Sequence, residues 1–315
     1  MSKFNPLQRT SEAHAYIEIE KFVRLVIETS AMPFETKVDA NGQQTIIPRL
    51  LANDFHKLTR YWNHYHPEYD YEVQTQAFWD SCIATGFIGE HGPTDMAWDY
   101  SLSIHAHAYA TNDLVRFIRT RADTKDYKRR AYDKKYQASE KCASIESFID
   151  EALARYAKSL VVRVDMGYQK SSSHQITIAD VYDHVDGLCM AKQSADAFRG
   201  LVGYALAIEQ GVTRGYHIHF VAIIDGNQFQ SGRHRGAQFA SLWQRIVGND
   251  SAAHICDYDP VQHAVRGVGQ FRRNEPDTHK GVVQTMQYLT EYKEDQYLRA
   301  RPSGRRALRT FLKCS

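Results

Sequence analysis

Apolar residues in the first third of the chain recur at helical steps. In EAHAYIEIEKFVRLVIETSAM, Tyr16, Ile19, Phe22, Val23, Val26 and Ile27 fall at i, i+3, i+4 spacing, forming one helix face that Pro33 follows. LLANDFHKLTRYW and DLVRFIRT repeat the pattern, with turn-rich sequence such as Glu90 to Thr94 between them. A mostly helical accessory domain over residues 1–145 is therefore expected. After Ser144 the period changes. A helical stretch, IESFIDEALARYAK, runs into SLVVRVDMGY, where β-branched residues replace the 3.6-residue repeat. Then come a helix (TIADVYDHVDGLCMAK), a strand (GYALAIEQ), a turn (GVTRG) and a second strand (YHIHFVAIID). Two strands around a short Gly-bounded loop predict an antiparallel hairpin. A helix (GAQFASLWQRIVG), a strand (AVRGVGQFRR) and a long helix before Pro302 complete the order β-α-β-β-α-β-α. That order predicts an α+β domain over residues 146–300, an antiparallel sheet with flanking helices. Residues 301–315 read as a basic C-terminal tail.

Length and composition narrow the class. At 315 residues the chain exceeds what one compact core usually needs, and 43% hydrophobic with 24% charged residues excludes disordered, collagen-like and coiled-coil chains. A net charge of +2 leaves the partner open, so any nucleic-acid surface must come from local clusters. One such cluster is the stretch 121–141, with eight Lys or Arg against four acids, which includes Lys128, Arg129, Arg130, Lys134 and Lys135. The tail supplies Arg301, Arg305, Arg306 and Arg309. A stretch such as 121–141 is more often a solvated helix face than a phosphate-contacting surface, and a solvated surface is the alternative for the tail as well. Five well-separated cysteines, never C-x-x-C, argue against a disulfide framework or a Cys-based zinc site. No apolar leader opens the sequence, and no window approaches the ~18 apolar residues that would span a bilayer. A cytoplasmic location with no membrane contact is the expectation.

The most informative residues lie in the predicted hairpin. His217 and His219 alternate onto one face of a strongly apolar strand, where an unsatisfied imidazole would be costly. His-x-His also occurs at His64/His66 and His105/His107, but outside such a strand. Pairing across GVTRG brings Glu209 opposite His217, with Ala205 and Ala207 on the same face leaving room. Two imidazoles and a carboxylate leave coordination positions open, as a catalytic divalent metal requires. Two hydrogen-bonded core histidines beside a loop-edge acid would give the same spacing. A second feature is Tyr288-Leu-Thr-Glu-Tyr292, whose phenols stand one turn apart on the last predicted helix, away from the stripe of Val282, Met286, Leu289 and Tyr297. Tyr-x-x-x-Tyr recurs at Tyr61/Tyr65, Tyr65/Tyr69 and Tyr132/Tyr136, so the spacing alone is weak. A metal that polarises a phosphate oxygen beside a tyrosine that attacks phosphorus is equipment for covalent phosphodiester cleavage.

With Leu160-Val-Val-Arg-Val-Asp165, Glu209, His217-Ile-His219 and Tyr288-Leu-Thr-Glu-Tyr292 in view, the chain resembles the HUH endonucleases that initiate rolling-circle replication. It is most similar to the inovirus-type replication protein family (the YagK/YfjJ C-terminal-domain type), over roughly residues 155–300. The resemblance implies an HUH endonuclease domain in which Glu209, His217 and His219 hold Mg²⁺ or Mn²⁺ and Tyr288 and Tyr292 are nucleophiles. Asp165, Arg163 and Lys293 would be supporting residues. The implied activity is a nick in single-stranded DNA at the replication origin of a phage, prophage or plasmid, through a 5′-phosphotyrosine, followed by strand rejoining. A host helicase or polymerase would be a further partner, in a bacterial cytoplasm. The rival readings are a non-catalytic DNA-binding regulator with the same fold and a metallohydrolase of small phosphoesters.

Overall fold

In the computed structural model of the chain, the first apolar stripe forms the helix Glu12–Glu28, capped by Ser11, whose hydroxyl accepts from the His14 N–H. The model describes residues 11–94, 104–257, 266–275, 278–287, 289–290 and 296–313, with backbone alone at 104, 134, 135, 137, 138 and 278. The chain divides into two compact units, Met1–Asp133 with Arg299–Gly304, and Lys134–Leu298 with Arg305–Ser315.

In the first unit, Tyr16, Ile19, Phe22, Val23 and Val26 are buried as the spacing predicts, while Ile27, expected on the same face, lies at its edge and is exposed. They pack with the helices Leu50–Leu58, Val73–Ala84 and Ile104–Asp123 around an aromatic centre, where Trp62 stacks between Phe78 and Phe87. Stacked aromatic faces add to the burial of their large apolar surface. Short strands decorate this helical core: β1 (Phe34–Val38) with β2 (Gln44–Pro48), β3 (Tyr69–Tyr71), and β4 (Ile88–Gly89) with β5 (Gly92–Pro93), which forms at the predicted Gly-Pro turn.

The second unit is built on an antiparallel sheet: β6 (Lys158–Tyr168), β7 (Leu201–Gly211), β8 (Gly215–Asp225), β9 (Ser251–Cys256), β10 (Gly269–Arg272) and a C-terminal edge strand, Leu308–Leu312. Strands β7 and β8 form the predicted hairpin, and β6 lies on the other side of β8. Both β9 and β10 pair with β6, one along each half of its length. Every residue of β7 is buried, and so is all of β8 after Gly215. Burial on both faces explains why these strands read as continuous apolar runs instead of strict alternation. The helices Ile178–Met190 and Gly232–Val247 stand between the strands where the sequence predicted them. One face holds Phe198, Tyr204, Phe220 and Phe239 in edge and tilted ring contacts. On the opposite face, Val161, Ala207 and Val221 pack with Ile145 and Ile149 of the helix Lys125–Ala154 and with Val282 and Met286 of the helix Thr278–Gln287.

The structure differs from the sequence expectations at three places. The 145/146 boundary falls inside the continuous helix Lys125–Ala154, and the units divide at 133/134. The long helix expected to run to Pro302 has Gln287 as its last described residue. Beyond it, the Leu289 and Thr290 N–H groups bond the Met286 and Gln287 carbonyls, and the Thr290 hydroxyl donates to the latter as well. Tyr297, expected on the helical stripe, lies beyond this helix. The expected basic tail is part of the fold. Residues Ala300–Pro302 (β11) pair with β3 in the first unit, and Leu308–Leu312 (β12) pair with β7 as the sheet's edge. The strand expected at AVRGVGQFRR is present as β10; residues 258–265 lie outside the described ones. Cys82, Cys142, Cys189 and Cys256 are free thiols. Among the described residues no helix is long and apolar enough to cross a membrane.

Candidate metal centre

The β7–β8 hairpin sets the site. Its loop is closed by Gly215 at φ +64°, a left-handed conformation that glycine adopts without steric cost. That turn fixes the register as Glu209 opposite His217 and Ala207 opposite His219, so all four side chains share the face carrying Ala205 and Val221. The three chemically active side chains are nearly removed from solvent, His219 at 1% exposure and His217 and Glu209 at 7% and 9%.

Both imidazoles are oriented by their Nδ1 atoms. Nδ1 of His217 lies 3.1 Å from the Gly215 carbonyl, to which it can only donate. Nδ1 of His219 lies 2.7 Å from Oδ1 of Asp165, the residue opposite it on β6. With the Nδ1 protons engaged, both Nε2 atoms turn to the same carboxylate oxygen, Oε2 of Glu209, at 3.5 and 3.2 Å. The ligand atoms of the three residues lie within 4.8 Å of one another. The donor set fits a divalent cation: two Nε2 atoms and one carboxylate, with the histidine second nitrogens held by a carbonyl and a carboxylate.

Charge reinforces this arrangement. Burial works to raise the Glu209 carboxyl, but hydrogen bonds and charge from His217 and His219 outweigh it and hold the group down to about 2. Burial likewise opposes ionisation of Asp165, and His219 and Arg163 together hold it well below the usual carboxylate range. Arg163 donates from Nε to Asp165 at 3.0 Å. Burial pulls the His219 imidazole down, and the hydrogen bonds and charges of Asp165 and Glu209 push it above its ordinary value.

A sharp expectation follows for Asp165. A metal takes Nε2 of neutral His219, so protons and metal compete for that ring. Because the imidazole stays protonated to higher pH than a free one, Mn²⁺ affinity is expected to fall as pH drops through a range above the ordinary 6.5. Asp165→Ala removes one of the two carboxylates that raise it and the acceptor that orients it. Titration calorimetry across pH should show affinity weaker by about 10- to 100-fold at high pH, and an onset of loss moved to lower pH. Equal affinity and an unmoved onset would remove Asp165 from the site.

Several sequence-derived residues fall elsewhere. Tyr288, Tyr292 and Lys293 lie outside the described residues. Lys128 and Arg129 make exposed ion pairs with Asp123 and Asp126, and Arg130 donates to the Tyr71 carbonyl. The side chains of Lys134 and Lys135 are outside the described atoms. Arg305 and Arg309 converge on Asp186 at 2.6 and 2.7 Å, and Arg301 sits 3.7 Å from Asp70. These three arginines tie the C-terminal strands to their own units instead of offering a free cationic tail. Arg306 is exposed.

Compared with protein-family models, curated proteins and solved structures, the chain has no significant match. The chemistry of this chain therefore rests on its own residues. Sequence reasoning had not singled out Lys170, Arg214 or His254, which line a cleft beside His217. Arg214 sits in the hairpin turn three residues before His217, and that proximity was the available signal.

Proposed function

We propose that the chain is a divalent-metal-dependent endonuclease that nicks single-stranded DNA at a replication origin through a phosphotyrosine and rejoins strands. The observation that carries this reading is the convergence of two oriented imidazoles and a carboxylate on one face of an antiparallel sheet. The helix Thr278–Gln287 packs over that same face, through Val282 and Met286, and the chain continues from it directly into Tyr288-Leu-Thr-Glu-Tyr292.

In this reading Glu209, His217 and His219 hold Mg²⁺ or Mn²⁺. The bound ion supplies Lewis-acid polarisation of a phosphate oxygen and stabilises negative charge on it. Asp165 keeps His219 in the tautomer that presents Nε2, and Arg163 keeps Asp165 ionised. A tyrosine oxygen forms a bond to phosphorus as the bond from phosphorus to the 3′-oxygen breaks. The phenol proton is lost and the released 3′-oxygen gains one, leaving a 5′-phosphotyrosine. A phenol with a pKa of about 10 reacts slowly at neutral pH unless a cation or base assists it.

The test is incubation of the full chain with single-stranded DNA from its own replicon and Mn²⁺, followed by denaturing electrophoresis. A band shifted by covalent DNA, abolished by EDTA, is the expected result. DNA binding with no cleavage would mark a non-catalytic regulator, and multiple turnover on a generic phosphodiester without an adduct would mark a small-phosphoester hydrolase.

A further inference from the structure

Beside the candidate centre lies an open cleft of about 390 Å³, of which His217 forms one edge. Its strand walls are small where they need to be: Gly167 on β6 and Ala252 and Ala253 on β9. Strand β9 makes this cleft by pairing with the outer half of β6, Asp165 opposite His254 and Gly167 opposite Ala252. Such a volume suits one small organic unit, far short of a duplex.

The rim is cationic. Lys170 follows β6 and Arg214 stands in the β7–β8 turn, so two separate loops bring a positive charge to the same cleft. Both side chains are exposed, and neither has a hydrogen-bond or ion-pair partner among the described residues. This contrasts with Arg305, Arg309, Lys128 and Arg129, each paired with an acid. The acid lining the cleft, Asp165, is already matched by Arg163 and His219. An anion in the cleft therefore meets two cations that no acid pairs, beside a wall of small residues, the combination a nucleotide offers to match.

We infer that this cleft is a nucleotide subsite for single-stranded DNA, in which Lys170 and Arg214 hold the phosphates flanking one nucleotide and the wall of small residues receives its base. It rests on the nuclease reading in so far as it places that nucleotide next to the phosphate to be cut at His217. Aligning the strand from both sides of one nucleotide is a positioning role: it presents the neighbouring phosphate without contacting the reacting atoms.

The experiment uses the full chain in EDTA, so that no metal contributes, with fluorescence anisotropy of a labelled oligothymidylate over a salt series. Lys170→Ala with Arg214→Ala should weaken binding and flatten the log-log salt slope by about 1.4, from ~0.7 for each of two single-strand phosphates. Lys170→Arg with Arg214→Lys should restore the slope, since both positions are exposed and only charge is required. An unchanged slope and affinity in the alanine pair would overturn the inference. A wild-type adduct in Mn²⁺ together with an unchanged slope fails the cleft and leaves the nuclease reading standing. A flattened slope with no adduct in Mn²⁺ does the reverse.

Discussion

Alanine at His217 or His219 is expected to abolish Mn²⁺ binding and, with it, all covalent nicking. Each histidine supplies one of three converging ligand atoms, and the second nitrogens are already committed to Gly215 and Asp165, so neither ring can be replaced by its neighbour. Losing a ligand from an open site removes far more affinity than losing an orienting partner, because no other described side chain joins the cluster. The substitution has a second consequence. His219 is buried between two carboxylates, and taking it away leaves Glu209 and Asp165 without a charge partner they now share. Breaking a buried pair in this way costs about 3–5 kcal/mol, enough to confuse lost binding with lost folding. Glu209→Gln separates the two. The amide keeps the shape and can still hydrogen-bond both rings, losing only the charge attraction that outweighs burial at Glu209, so melting should fall less than in His219→Ala while calorimetry shows no Mn²⁺ heat. Wild-type nicking or Mn²⁺ affinity in His217→Ala, or in a folded Glu209→Gln, would eliminate the metal centre.

Changing both tyrosines of Tyr288-Leu-Thr-Glu-Tyr292 to phenylalanine is expected to eliminate the covalent adduct, because these two phenols are the nucleophiles of the proposed reaction; an adduct that survives would point to Tyr297, the next phenol along the chain. The single variants carry the finer information. One tyrosine suffices for a nick, and each of Tyr288→Phe and Tyr292→Phe should retain some adduct. Finishing a round of rolling-circle synthesis needs a second nucleophile, since the first still carries the old 5′ end when the regenerated origin must be cut. The new 3′-hydroxyl then attacks the first phosphotyrosine, breaking the tyrosine–phosphorus bond and releasing a circle. Strand transfer between two labelled oligonucleotides should therefore disappear in both single variants. If one variant loses the adduct and the other transfers strands normally, the protein is a one-tyrosine enzyme.

How much of this was legible in the chain differs by element, and the range of each interaction explains why. The Glu209–His217–His219 constellation is formed within one hairpin by residues two and eight positions apart. Strand alternation and a short Gly-bounded loop are local properties, and they determine the register that places all three on one face. The amphipathic helix Glu12–Glu28 was legible for the same reason: five of the six stripe residues are buried, and only Ile27, at the stripe's edge, is exposed.

What the tertiary structure alone decided involves partners far apart in sequence. Arg163 and Asp165 alternate onto one face of β6 by local geometry, but that this face meets His219, 54 residues away from Asp165, depends on β6 lying beside β8. Strand β9, with exposed Ala252, Ala253 and His254, lacks the apolar run that announces a strand; pairing with β6 makes it one and so builds the wall of the cleft. The C-terminal arginines look like a nucleic-acid tail because sequence displays their charge and conceals Asp186 and Asp70, which neutralise three of them. The last long helix was over-extended for a related reason. Helical periodicity is a local preference, and it carries no record that Ala300–Pro302 will be drawn into a strand against Tyr69–Tyr71, more than two hundred residues earlier.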